Sequence, residues 1–210
     1  SSTSTQTLTL TLAVSAATGK TGTGTPVDLS SEVTVNGIYT DGSTYSTGGL
    51  DGTGYSYSAN LLTATRVFDD TLFDFGPPNG LDAIGCTGQS LSLPPGQFSA
   101  LMLLATGVEG DQASETLTVN YSDGTSSKFV QSFSDWFTPQ KFPGEYEGVA
   151  MAYRNYENGT KDQRTFNLYA YRFVLKPSKT VQSITLPNDA HVLVLAATLL
   201  PVSGSSTPAH

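Results

Sequence analysis

Glu115-Thr116-Leu117-Thr118-Val119-Asn120-Tyr121, then Asp123-Gly124, then Ser127-Lys128-Phe129-Val130-Gln131-Ser132-Phe133 is the stretch whose reading decides the fold. Leu117, Val119 and Tyr121 alternate with Thr116, Thr118 and Asn120. Side chains along a strand point to opposite faces in turn, so alternation of period two describes a half-buried strand. Asp-Gly supplies the positive φ that a tight reversal requires. The stretch therefore predicts an antiparallel hairpin, with its apolar face on a core.

Outward from this hairpin the chain reads as one short strand after another. Strands are predicted over Val33–Tyr39, Tyr55–Ser58, Ser90–Leu93, Val149–Tyr156, Thr165–Leu175, Thr180–Leu186 and Val192–Leu200. Arg66–Phe68 and Leu72–Phe75 form a second hairpin around Asp69-Asp70. Pro94-Pro95-Gly96 reads as a stop. Phe98–Ala105 is almost continuously apolar, which predicts a central strand buried on both faces. No segment shows a helical apolar period, and Leu61–Arg66 is long enough for one turn only. Many short strands with Gly, Pro and Asp-Gly punctuation predict an all-β antiparallel β-sandwich or jelly roll over residues 27–202. Before it, Thr7–Leu12 alternates Thr and Leu as a strand would, and a Gly/Thr-rich linker runs to Pro26. The small polar tail 203–210 is expected to be disordered.

Composition narrows the function classes. Of 210 residues, 13% are charged, against about 25% in an average globular chain; Ser, Thr, Asn and Gly supply the polarity instead. The net charge of −8 argues against nucleic acid or anionic membrane as partner, since both require a basic footprint. Cys86 is the only cysteine, so no intrachain disulfide forms, and a lone thiol of this kind reads as a small buried apolar residue. No apolar run reaches the roughly 18–20 residues of a membrane helix.

Catalytic patterns fail one by one. Gly19-Lys20-Thr21 ends like a phosphate loop, but position 14 is Val14 where the first glycine belongs. The two histidines, His191 and His210, are too few for a histidine-based zinc centre, and no Gly-x-Ser-x-Gly occurs. Glycosidic hydrolysis needs only two carboxylates, so a small glycosidase or lyase stays open as an alternative, although no catalytic residue can be assigned. Asp51, Asp82 and Asp162 are of the type that binds a structural calcium from loops.

Aromatic and arginine side chains converge more informatively. Phe133-Ser134-Asp135-Trp136-Phe137 is followed by Tyr153-Arg154-Asn155-Tyr156. Sugars stack their C–H faces on aromatic rings and present hydroxyls to carboxylates and guanidinium forks. A site of Asp135, Trp136, Tyr153, Arg154 and Tyr156, with Tyr55 and Tyr57 beside the glycine-rich loop, would suit a saccharide. In the competing structural reading Trp136 plugs the core and Arg154 pairs with Asp135.

The strings Asn36-Gly37-Ile38-Tyr39-Thr40-Asp41-Gly42, Leu50-Asp51-Gly52-Thr53-Gly54-Tyr55-Ser56-Tyr57-Ser58-Ala59, Ser134-Asp135-Trp136, Ala152-Tyr153-Arg154-Asn155 and Leu168-Tyr169-Ala170-Tyr171 together resemble C-terminal carbohydrate-binding-type β-sandwich modules of secreted bacterial glycoside hydrolases. The likeness spans roughly residues 27–200. It implies a galactose-binding-like jelly roll that is extracellular and non-catalytic, with an attached catalytic domain and a polysaccharide or oligosaccharide as partners. The alternative is a ligand-free spacer between domains of such an enzyme.

Overall fold

The computed structural model describes residues 22–202. The predicted strand Thr7–Leu12 and the tail 203–210 lie outside them. Strand β7 (Ser90–Gly107) is the axis of the fold. Its first half pairs with β14 (Thr180–Thr185), which leads to β8 (Gln112–Tyr121) and β9 (Ser126–Phe133). Its second half lies between β13 (Phe166–Val174) and β15 (Val192–Pro201). Beyond β13 comes β10 (Glu145–Met151); beyond β15 come β1 (Thr25–Pro26) and β6 (Ile84–Gly85). A single long strand thus serves two sheets that face each other, the arrangement of a β-sandwich. The all-β antiparallel sandwich read from the sequence is the fold observed.

Alternation along these strands sorts side chains into two cores. Leu101, Leu103 and Ala105 of β7 join Tyr169, Tyr171 and Phe173 of β13 against Leu117, Val119 and Tyr121 of β8 and Ile184 of β14. The intervening Met102 and Leu104, with Leu168, Ala170 and Leu195, point the other way into a second core. The Phe98–Ala105 run is apolar without alternation because both faces of this sheet are covered.

The second core is closed by a third layer. It consists of a four-stranded sheet, β2 (Ile38–Tyr39), β3 (Tyr55–Ser58), β11 (Arg154–Tyr156) and β12 (Lys161–Asp162), and the hairpin β4 (Thr65–Phe68) and β5 (Thr71–Asp74). In the small sheet β2 and β3 run parallel. Helix α1 (Ala59–Leu62) is a single turn; its first residue follows Ser58, whose Oγ accepts the Leu61 N–H at 3.3 Å. The β4–β5 hairpin turns at Asp69 and Asp70, both at positive φ (45° and 58°), a geometry that Asp tolerates better than most residues.

Several boundaries differ from the sequence reading: the predicted strand Val33–Tyr39, for one, is a strand only at Ile38–Tyr39, with Val35 in an isolated bridge to Ala83. Pro94-Pro95-Gly96 does not end the strand: β7 continues through it. The ladder with β14 passes from Val181↔Gly96 to Ser183↔Ser92, so both prolines sit in an irregularity where no ladder N–H is required. The predicted strand Val149–Tyr156 is two strands rather than one. β10 ends at Met151 on β13, and β11 restarts at Arg154 in the small sheet. Lastly, the Gly/Thr stretch is already sheet at its end, because Thr25 and Pro26 pair with Leu199 and Thr198.

Candidate functional site

The glycine-rich loop 48–54 is a closed turn. The Gly54 N–H donates to the Gly48 carbonyl at 2.7 Å, and the Leu50 N–H to the Tyr55 carbonyl at 2.7 Å. Asp51 Oδ1 accepts the N–H groups of Thr53 at 2.9 Å and Tyr55 at 3.3 Å. The loop needs glycine at position 49, where φ is 68° and a Cβ would lie 2.1 Å from the Tyr55 carbonyl oxygen. We expect Gly49→Ala to cost about 1–3 kcal/mol from backbone conformation alone, with the clash added. A melting point lowered by less than about 2 °C would mean that the loop tolerates a side chain there.

This turn delivers the other carboxylate oxygen of Asp51 to Arg154. Register in the small sheet does the rest. Arg154 lies opposite Asp162, and Tyr156 opposite Tyr55. Arg154 Nη1 is 3.4 Å from Asp51 Oδ2, and its Nε is 3.1 Å from Asp162 Oδ2. The guanidinium lies over the ring of Tyr55 at 3.5 Å, with the Phe166 and Trp136 rings at 4.3 and 4.7 Å. Arg154 is only 8% exposed. Asp162 also takes Arg164, with Nε at 2.8 Å from Oδ1. The Arg164 hydrogen bond, with Arg154 behind it, holds the Asp162 carboxyl below the usual carboxylate range.

Trp136 is the floor of this cluster. It is 3% exposed, set edge-on against Tyr57 at 5.2 Å and tilted on Phe166 at 5.1 Å. Tyr57 is fully buried and donates its hydroxyl to the Asn167 carbonyl at 2.6 Å; burial pushes its pKa well above that of a free tyrosine. Tyr156 packs on Tyr55 at 4.7 Å.

The remaining residues singled out from the sequence lie elsewhere. Asp135 does not pair with Arg154. Its carboxylate accepts the N–H groups of Phe137 at 2.8 Å and Gly110 at 3.0 Å, which fixes the turn leading into Trp136. Tyr153 faces the other side of the small sheet, where its hydroxyl donates to Asp41 Oδ2 at 2.6 Å and Lys161 lies over its ring at 4.0 Å. Among the calcium candidates, Asp51 and Asp162 do meet, but around the guanidinium of Arg154. Asp82 instead accepts the Gly37 and Ile38 N–H groups at 2.7 and 3.0 Å. Among the described residues no group of three or more His, Cys, Asp or Glu side chains converges as a metal cage.

Sequence reasoning passed over Phe166 and Arg164. The signal for Phe166 was its place at the head of an apolar strand, and for Arg164 its spacing of two from Asp162. Chemically, the cluster is a cation held between rings and two carboxylates, with every charge internally matched. Asp162, held below the usual carboxylate range, is not placed as a general acid, since that role needs a carboxyl whose pKa is raised.

Comparison with curated proteins returns no match. A family model does match, over residues 23–202, which takes in both cores, the third layer and the Arg154 cluster. On that match the chain belongs to the AziU2-like β-sandwich domain family.

Proposed function

We propose that this chain is a non-catalytic structural module of a larger secreted enzyme, whose aromatic and arginine residues bind its own layers together. One observation carries this reading. The side chains suited to gripping a sugar are already engaged with one another: Arg154 is buried, stacked on Tyr55 and matched by Asp51 and Asp162, while Trp136 and Tyr57 are core. A stacking platform must leave at least one aromatic face open to solvent.

Carbohydrate binding by an accessory module is the second reading, supported by the outer rim of the same cluster. There Phe137 is 39% exposed and carries the Arg164 guanidinium at 4.4 Å from its ring. Depletion from solution by a panel of cellulose, xylan, mannan, β-1,3-glucan, chitin and pectin separates the two, with and without calcium. Under the structural reading the folded domain stays in solution with every polymer. Saturable retention on one polymer, lost in a folded Phe137→Ala variant, would replace it with the carbohydrate reading.

A further inference from the structure

The third layer stops short of the end of the central sheet. Along β13, Phe166, Leu168 and Ala170 lie in the second core, and alternation puts Arg172 and Val174 next on the same face. Both are exposed, Val174 at 68%. Register places Tyr146 of β10 opposite Ala170, and Met102 of β7 opposite Arg172. The β4–β5 hairpin, whose Phe68 packs on the second core, bounds the other side. Phe68, Asp69, Met102, Tyr146 and Arg172 thus line a cavity of about 370 Å³. That volume is within the range of small-molecule sites, roughly 300–1,000 Å³.

Arg172 defines what fits. The other arginines are engaged: Arg154 and Arg164 with carboxylates, Arg66 with the Leu61 carbonyl. Among the described residues Arg172 has no hydrogen bond or ion pair. Its planar fork is free to take a carboxylate through two parallel N–H···O bonds. Beside it, Phe68 and Tyr146 offer ring faces and Met102 a polarizable sulfur, surfaces that suit a flat aromatic body. Tyr146 is 56% exposed, so its ring is not already covered by the protein. Asp69 is the single acidic group on the wall. A phosphate or dicarboxylate would set a second negative charge against Asp69 with only one guanidinium to offset it, so a single negative charge is favoured.

We infer that this cavity binds a small aromatic monocarboxylate, its ring against Phe68 and Tyr146 and its carboxylate on Arg172. The ring gains from leaving water. The carboxylate gains charge-assisted hydrogen bonds from a donor that has no other partner among the described residues. This site shares no residue with the Arg154 cluster, and its ligand is a small acid and not a polymer. Its failure therefore leaves the structural reading of that cluster untouched.

Calorimetric titration with 3-phenylpropanoate, 3-phenylpropanol and 3-phenylpropylamine tests the inference with matched probes. We expect saturable binding of the acid, with the alcohol and the amine each at least about tenfold weaker. Arg172→Gln should bring the acid down to the level of the alcohol and leave the alcohol unchanged, whereas Tyr146→Ala should weaken both. Both positions are exposed, so each variant should keep the urea midpoint of the parent chain. The inference is overturned if the acid shows no saturation up to about 10 mM, well beyond a millimolar Kd. Alcohol or amine binding as tightly as the acid, or acid binding unchanged in Arg172→Gln, overturns it as well.

Discussion

Arg154→Met should lower the stability of this domain by about 3–5 kcal/mol, the loss typical of removing one partner of a buried ion pair. Arg154 and Asp51 expose only 10% and 8% of their side chains, so little solvent screens the pair. Methionine keeps much of the packing volume but withdraws the cation. Asp162 would retain Arg164, whereas Asp51 would retain only the Thr53 and Tyr55 N–H groups. Stacking on Tyr55, Trp136 and Phe166 would be lost in the same step. Arg154→Lys should recover only part of the deficit, because an ammonium has neither the planar fork nor the flat face of a guanidinium. Urea unfolding followed by circular dichroism measures both variants. A loss below about 1 kcal/mol for Arg154→Met would place the pair with surface ion pairs. The loss should also persist at 1 M NaCl, since salt screens buried pairs much less than exposed ones.

Trp136→Ala should cost a further class of interaction, about 3–5 kcal/mol from lost burial and the cavity left behind. Trp136 sits between Tyr57 and Phe166 in the core that joins the third layer to the central sheet. Its backbone also bridges elements: the Trp136 N–H donates to Gly107 and its carbonyl accepts from Asn167. Truncating the side chain while the backbone stays pinned leaves a void that cannot easily collapse. A ligand-facing tryptophan would behave differently, because surface truncations usually fall within about 0.5 kcal/mol. Trp136 is the only tryptophan, so its fluorescence reports this core directly. A native emission maximum like that of free indole in water, with unchanged stability for Trp136→Ala, would return this residue to the surface.

Both expectations concern residues that the sequence singled out as a group suited to a saccharide. Trp136, Arg154, Tyr55, Tyr57 and Tyr156 do come together, as their chemistry suggested. What the sequence left open was which way they face. Arg154 was weighed as a partner for Asp135, nineteen positions before it. Its actual partners are Asp162, set by the β11–β12 register, and Asp51, which lies 103 positions away and is brought in by the glycine loop. Register and loop closure depend on contacts distant in sequence, and no local pattern encodes them. Tyr153 shows the same limit on a smaller scale: adjacent to Arg154, it points to the opposite face and pairs with Asp41.

The sequence by itself determined the strand content, the Glu115–Phe133 hairpin and the double burial of Phe98–Ala105. Each rests on alternation or its absence, and side-chain period is a local property of the backbone. Only the tertiary structure decided that the segment 149–156 divides between two sheets. It alone carried β7 through two prolines opposite a bulge and left the end of β13 uncovered, so that a cavity opens beside Arg172. Those outcomes follow from which strands become neighbours. Neighbours are chosen by the burial of whole faces at once, a sum over residues far apart in the chain, which no single segment contains.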